Sequence, residues 1–508
     1  MLQIQHLTLT HKSDLRVLIH DLSLTLSGVE RLAVIGEEGD GKSTLLETIL
    51  HWPAVPDWCL SEGSINSGGE RIAFLSQENS FSDSLSVYDY CCSCASFPDA
   101  SWQELYDVCQ LIGMSPDLAY RQSPVLSLSG GEKLKLRLML LMLSSPTMLV
   151  LDEPSNDLDL NALESLEHFL LNCSLPVLFV SHDEVLLRAC ATRVLHLESI
   201  HGRQAPRWTL SNTPYDVYMQ TRNDAFVRQE QIFQSEQREK RARDERFQRI
   251  QQSVEHAQNA VSRQDPHSGR LLKKKMKAVK SLEHRFERED SQMTERPYSE
   301  WAIDASWAEG ISFPSGKTVL TLDLPELRAG EQVLSRNLHL SVVGPEKVLI
   351  IGENGSGKTT LLRQIVASLS DRNDLKCAYM PQDYADSLPY DLTPVEYLHT
   401  DGSKEQLTEI RIHLGAFRFT REEMEHPIRS LSGGQKAKLF LIHLILQKAN
   451  VLILDEPTRN LSPLSAPVLR DMMSSFNGCI ICVTHDRVLL SQHIGRVLRL
   501  TPNGLETI

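Results

Sequence analysis

Apolar and polar positions follow two different periods along the chain. The opening residues, Met1-Leu2-Gln3-Ile4-Gln5-His6-Leu7, alternate as a half-buried strand does. Short unbroken apolar runs come next, at 32–35, 148–151, 348–351, 451–454 and Cys479–Val483, and each reads as a buried strand. The runs at 32–35 and 348–351 pass into Gly-rich turns and then into segments 44–50 and 360–367, which are expected to be helices. The middle of the chain has a helical period. Thr213-Pro214 offers a capping residue followed by Pro at the first helical position, and no Pro or Gly follows until about Val261. Apolar residues fall at Phe226, Phe233, Phe247, Ile250, Val254, Ala257 and Val261, the later ones stepping 3, 4, 3, 4. Asp265-Pro266-His267-Ser268-Gly269 breaks the helix, and Leu272, Met276, Val279, Leu282 and Phe286 mark one face of a second. The pattern predicts a long antiparallel helical hairpin, its first arm about 70 Å long at 1.5 Å per residue.

The flanking segments repeat each other. Gly36-Glu37-Glu38-Gly39-Asp40-Gly41-Lys42-Ser43 and Gly352-Glu353-Asn354-Gly355-Ser356-Gly357-Lys358-Thr359 both fit a phosphate loop, followed by Thr44 and Thr360. Downstream come Gln77 and Gln382, then Leu128-Ser129-Gly130-Gly131-Glu132 and Leu431-Ser432-Gly433-Gly434-Gln435. Asp152-Glu153 recurs as Asp455-Glu456, and Ser181-His182-Asp183 as Thr484-His485-Asp486. Ser129 to Asp152 is 23 residues, as is Ser432 to Asp455; Asp152 to His182 is 30, as is Asp455 to His485. From the Ser-Gly-Gly motif onward the copies are offset by 303. Upstream they differ: Lys42 to Gln77 is 35 residues and Lys358 to Gln382 only 24, which suggests a longer loop region in the first copy.

These residue types suit phosphoryl chemistry. Glycines let backbone N–H groups approach phosphates, and Lys42 and Lys358 add a point charge at the β and γ phosphates. Ser43 and Thr359 offer hydroxyls to Mg²⁺, and Asp152 and Asp455 place carboxylates at strand tips to support the same ion. Glu153 and Glu456 would act as general bases on water, with Gln77 and Gln382 reaching metal and water and His182 and His485 the γ-phosphate.

Five ordered motifs present twice resemble the ATP-binding cassette (ABC) ATPases, over about 400 of the 508 residues. The resemblance implies an α/β fold with two cassettes packed head to tail, two Mg·ATP sites, and a signature segment that completes the opposite site. Ser432, Gly433, Gly434 and Gln435 would then join Lys42 and Glu153, and Ser129, Gly130, Gly131 and Glu132 would join Lys358 and Glu456. The aspartate this family carries after the Glu is Asp159 in the first copy and Ser462 in the second, so one contact across the interface is expected to differ. No adenine-stacking aromatic is evident before Gly36.

Charge separates the middle from the rest. The whole chain carries −14, whereas residues 215–296 hold 18 Lys+Arg against 14 Asp+Glu. Residues 261–288 hold nine basic side chains, among them Arg263, Arg270, Lys273, Lys274, Lys275, Lys277 and Lys280, against three acidic ones. A basic tip on an acidic body suits RNA phosphates. Tandem cassettes joined by a basic hairpin resemble the ABC-F translation factors. That resemblance implies a ribosome-bound protein whose linker approaches P-site tRNA and the peptidyl-transferase centre. The segments around Glu37-Glu38-Gly39 and 458–465 are similar to the branch that protects ribosomes from lincosamides, streptogramins and pleuromutilins. The expected division is 1–204, 205–305 and 306–508. A second reading is the tandem ATPase subunit of a membrane transporter, which leaves the hairpin unexplained.

Composition adds exclusions. Apolar residues make up 41% of the chain, enough for a real core, and no 18-residue apolar run suggests a membrane span. The N-terminus lacks the basic start and apolar run of a secretory signal, and a cytoplasmic monomer is expected. The ten cysteines, including Cys91-Cys92-Ser93-Cys94 and Cys479-Ile480-Ile481-Cys482, show no metal spacing and read as reduced thiols.

Overall fold

The computed structural model describes every residue except 13–14, 38, 78–84, 157, 201–204, 261–265, 291–292, 294–312, 371, 373, 385–386, 401, 418 and 460. The chain divides into two compact units, Met1–Tyr215 with Glu300–Ile508, and Asp216–Ser299.

The first unit contains both repeats. Each builds a six-stranded sheet in one spatial order: Ile72–Leu75, Met148–Asp152, Val177–Val180, Arg31–Ile35, Arg193–Ile200 and Ala205–Ser211 in the first repeat. Cys377–Met380, Val451–Asp455, Cys479–Val483, Lys347–Ile351, Arg496–Thr501 and Gly504–Thr507 follow the same order in the second. Five strands of each sheet are parallel and the last is antiparallel. The central strands are apolar because both faces are covered. Cys479–Val483 shows this: Cys479, Ile481 and Val483 pack into one core cluster, while Ile480 and Cys482 pack into another across the sheet. All ten cysteines are free, and burial, with neighbouring thiols, pushes the Cys91 thiol up to about 12.

Two expectations need correction. The extra residues between Lys42 and Gln77 are not simply a longer loop. They include the strand Cys59–Asn66, which joins Leu2–His11 and Val17–Leu26 in a three-stranded antiparallel sheet. Among the described residues, the second repeat builds the equivalent layer from the two strands Thr318–Ala329 and Gln332–Val343. The boundary at 204 also moves, because Ala205–Ser211 pairs with Arg193–Ile200 and belongs to the first cassette's sheet.

The second unit is a helical hairpin. Its helices, Tyr215–Ala260 and Pro266–Asp290, run antiparallel, since partners descend along one as they rise along the other. Lys240 lies 2.8 Å from Asp290, the Arg243 guanidinium caps the same carboxylate, and Phe247 meets Phe286 edge-on at 5.6 Å. Arg243 also lies over the Phe286 ring at 4.5 Å. The 46-residue arm spans about 69 Å. Lys274, Lys277 and Lys280 are exposed on the second helix. Arg263 lies outside the described residues, as do the side chains of Arg270, Lys273 and Lys275.

Candidate nucleotide sites at the cassette interface

Each phosphate loop joins the tip of a central strand to a helix, Arg31–Ile35 to Lys42–His51 and Lys347–Ile351 to Lys358–Leu369. Gly41 and Gly357 sit at the helix starts with φ of 86° and 98°, a left-handed geometry that a Cβ would strain. At Gly36 a Cβ would come within 2.5 Å of the Leu197 carbonyl oxygen. The lysines are held alike: Lys42 Nζ donates to the Gly36 and Glu37 carbonyls at 2.9 and 3.0 Å, and Lys358 Nζ to those of Gly352 and Glu353 at 2.9 and 2.8 Å. Thr44 is buried and Ser43 exposed, whereas Thr359 and Thr360 are half-buried. Glu38 lies outside the described residues.

Asp152 and Asp455 end their strands as expected. Burial, aided by the neighbouring Glu153, raises the Asp152 carboxyl to about 6, and burial raises Asp455 as well. Glu153 and Glu456 both adopt left-handed backbone, φ 48° and 51°. For a side-chain-bearing residue this costs on the order of 1–3 kcal/mol, a strain characteristic of functional positions. Burial pushes the Glu456 carboxyl up to about 7. Each glutamate faces its histidine. His182 Nε2 lies 2.8 Å from Glu153, whose other oxygen accepts the His182 backbone N–H at 3.2 Å. The second copy gives 3.5 and 3.1 Å. Burial, with the Lys358 charge, lowers His485 to about 4, so it is neutral at pH 7.

Several buried polar atoms here have no hydrogen-bond partner among the described residues: Asp152 Oδ1, Glu456 Oε1, Ser356 Oγ, and Nδ1 of both His182 and His485. Orphaned groups of this kind, beside a lysine and a Gly-rich loop, fit a phosphate-bound cation and a water. A cavity of about 560 Å³ opens at the second copy's loop. Lys358, Thr359, Gln382, Asp455, Glu456 and His485 line it from one repeat, and Ser155, Asn156, His182 and Asp183 from the other. Gln77 is exposed.

The signature segments show a role that the motif match did not reveal. Ser129 accepts from the Glu132 N–H while Glu132 accepts from the Ser129 N–H, a complete capping box at the start of helix Gly130–Leu143. Ser432 and Gln435 repeat it at Gly433–Leu446. The S-x-x-E/Q spacing carried that signal. Gly131 packs on Ala162, where a Cβ would lie 2.7 Å from that side chain. Among the described residues lining the cavity, none comes from 129–132.

The cassettes meet through charged side chains that sequence reasoning passed over. Arg470 donates to Glu184 at 2.6 Å and to Asp486 at 2.8 Å, all three buried. Arg487 donates to Glu167 at 2.8 Å and Asp183 at 3.1 Å. Under the 303-residue offset, Glu167 aligns with Arg470 and Glu184 with Arg487. The two pairs are therefore one contact made twice, acidic on the first copy and basic on the second.

A family model described as "ABC transporter" matches residues 19–156 and 335–459, just over half of the chain. The chain belongs to the ABC transporter family. The ribosome protection protein VmlR of Bacillus subtilis is 29% identical over 490 residues, 94% of this chain and 82% of that protein. The ATP-binding protein Uup of Escherichia coli K12 is 27% identical over 518 residues, 92% of this chain and 76% of that one. ABC transporter F family member 2 of Arabidopsis thaliana is 27% identical over 394 residues, 75% and 53% respectively. With such relatives this ABC protein is an ABC-F ATPase that binds ATP. In fold it is similar to an archaeal ABCE1 solved with the stalk protein aP1 (TM-score 0.58, 17% identity, covering 99% of this chain and 90% of that one). No helix among the described residues is long and apolar enough to cross a membrane.

Proposed function

We propose that this ABC-F ATPase is a ribosome-binding factor: its ATP-bound, closed form engages the ribosome, and hydrolysis releases it. The carrying observation is the pairing of two cassettes with a separate basic hairpin, in a chain that aligns over 94% of its length with a protein named for ribosome protection. Protection against a ribosome-targeting drug is the finer form of this reading and rests on that same relative.

Two composite sites would do the chemistry. Site one combines Lys42 and Glu153 with Ser432 and Gly434, and site two Lys358 and Glu456 with Ser129 and Gly131. The Ser43–Asp152 and Thr359–Asp455 pairs, with Gln77 and Gln382, would hold Mg²⁺, which neutralises charge on the β and γ phosphates. Glu153 or Glu456 takes a proton from water as its oxygen bonds to the γ-phosphorus and the bond to the bridging oxygen of ADP breaks. Lys42 and Lys358 would face the β and γ phosphates, and neutral His485 can donate one hydrogen bond while accepting another. The hairpin would meet rRNA and P-site tRNA through exposed Lys274, Lys277 and Lys280 together with Arg263, Arg270, Lys273 and Lys275.

The test is sedimentation of the Glu153→Gln/Glu456→Gln chain with purified ribosomes at moderate salt. Co-sedimentation with ATP and not without it is the expected result. Absence of binding in both states would reject the ribosome reading and turn attention to a membrane partner.

A further inference from the structure

Glu37 belongs by position to the first phosphate loop, yet its carboxylate serves the opposite cassette. Lys438, from the signature helix Gly433–Leu446, donates to Glu37 Oε2 at 2.7 Å. The hydroxyls of Ser462 and Ser465 donate to Oε1 at 2.7 and 2.8 Å. Burial alone would raise this carboxyl, but the Lys438 charge and the three hydrogen bonds outweigh it and hold it well below the usual carboxylate range. Asp40, almost wholly buried, shapes the loop from within by accepting the Glu37 N–H at 2.8 Å.

The second repeat is the internal control. There the residue equivalent to Glu37 is Glu353, which is exposed. The positions that would face it under the 303-residue offset are Lys135, Asp159 and Ala162. Lys135 donates to the Gly113 carbonyl instead, and Ala162 has no hydroxyl to give. Asp159 accepts the Asn354 backbone N–H across the interface at 3.2 Å and, within its own repeat, the Ala162 N–H at 3.0 Å. Thus the Glu37 carboxylate is held across the interface by an ion pair and two hydroxyls, whereas the carboxylate of its counterpart Glu353 is exposed. Burial follows the same division. Asp40, Gly41, Lys42 and Thr44 are buried, while Ser356, Gly357, Lys358 and Thr360 are half-buried beside the 560 Å³ cavity.

We propose that Glu37 is a positioning residue, a latch that keeps the Lys42 half of the interface closed, so that nucleotide leaves the Lys42 site slowly while the Lys358 site opens and exchanges. This rests on the two-site reading above. Losing this charge-assisted bond should speed release about tenfold.

The experiment measures release of a fluorescent N-methylanthraniloyl ATP from the full-length Glu153→Gln/Glu456→Gln chain. Two phases of equal amplitude are expected, the slow one lost in Lys42→Ala and the fast one in Lys358→Ala. Glu37→Gln should accelerate the slow phase about tenfold and leave the fast phase alone. The swap Glu37→Lys/Lys438→Glu should restore slow release, since serine hydroxyls accept as readily as they donate. Two bound nucleotides leaving in one phase, or a slow phase indifferent to Glu37→Gln, would overturn the latch and spare the two sites. Fewer than two bound nucleotides, with binding indifferent to Lys42→Ala, would overturn the two-site reading itself.

Discussion

The two candidate nucleotide sites share their proposed catalytic side chains and differ in what faces them. Lysine, aspartate, glutamate and histidine recur at matching positions, and even the left-handed backbone of the glutamate recurs, φ 48° and 51°. Across the interface the copies diverge: Asp159 against Ser462, Ala162 against Ser465, Glu167 against Arg470, Glu184 against Arg487. A duplicated domain that pairs only with its own twin can vary each half of a contact independently. The acidic and basic halves then recognise each other, and pairing of like with like would oppose charges of one sign. The proposed division of labour between the sites would follow from the facing surfaces rather than from the matching side chains.

The largest effect should come from the bases. Glu153→Gln/Glu456→Gln should lower steady-state ATPase turnover by about 10²–10⁴, the usual range for a lost general base. Tested singly, Glu456→Gln should remove most turnover and Glu153→Gln less than half, because the Lys358 site exchanges faster. Equal losses in phosphate-release assays would break the comparison between the sites.

Next is the buried arginine. Arg470→Ala would leave Glu184 and Asp486 buried without their cation, a loss of about 3–5 kcal/mol. Denaturant unfolding of the intact chain should show it, and Arg487→Ala, at a less buried site, should cost less. A change below about 1 kcal/mol for Arg470→Ala would mean that water replaces the arginine and that the charge code does not hold the cassettes together.

How much of this was legible in the sequence depended on whether the signal was local. Apolar runs ending in Asp152 and Asp455, and glycines before Lys42 and Lys358, dictate strand, turn and helix nearby, so those placements could be read directly. Cys59–Asn66 escaped because Gly63 and several polar residues interrupt its alternation, and only pairing with Leu2–His11 makes it a strand. The Glu/Arg contacts were visible as opposite charges at equivalent positions, but their meaning needs the head-to-tail packing. Glu37 matched a nucleotide-binding motif, and nothing local reveals that its carboxylate faces Lys438.

A smaller effect would separate the hairpin from the sites. Replacing Lys274, Lys277 and Lys280 with alanine should reduce the salt slope of ribosome binding by about 2–3, if each meets one phosphate. Both phases of nucleotide release from the free protein should stay as they were. A changed slow phase would show that the hairpin feeds into the latch.

The smallest expected effect is with pH, and its sign is set by Glu37. Its carboxyl in the folded protein lies below the ordinary value, so its stabilisation is fully present above that value and is lost only as pH falls through the depressed one. The contribution of Glu37 to the slow phase should therefore be flat from pH 8 to pH 5. The Ser462 and Ser465 hydroxyls that meet Glu37 do not titrate in this range. A slow phase that accelerates between pH 7 and pH 6 would point to another group of that site, such as Asp152 with its carboxyl raised to about 6, rather than to Glu37. Glu37→Gln, which cannot titrate, would then keep that acceleration, whereas a latch made by Glu37 predicts fast release at every pH in the variant.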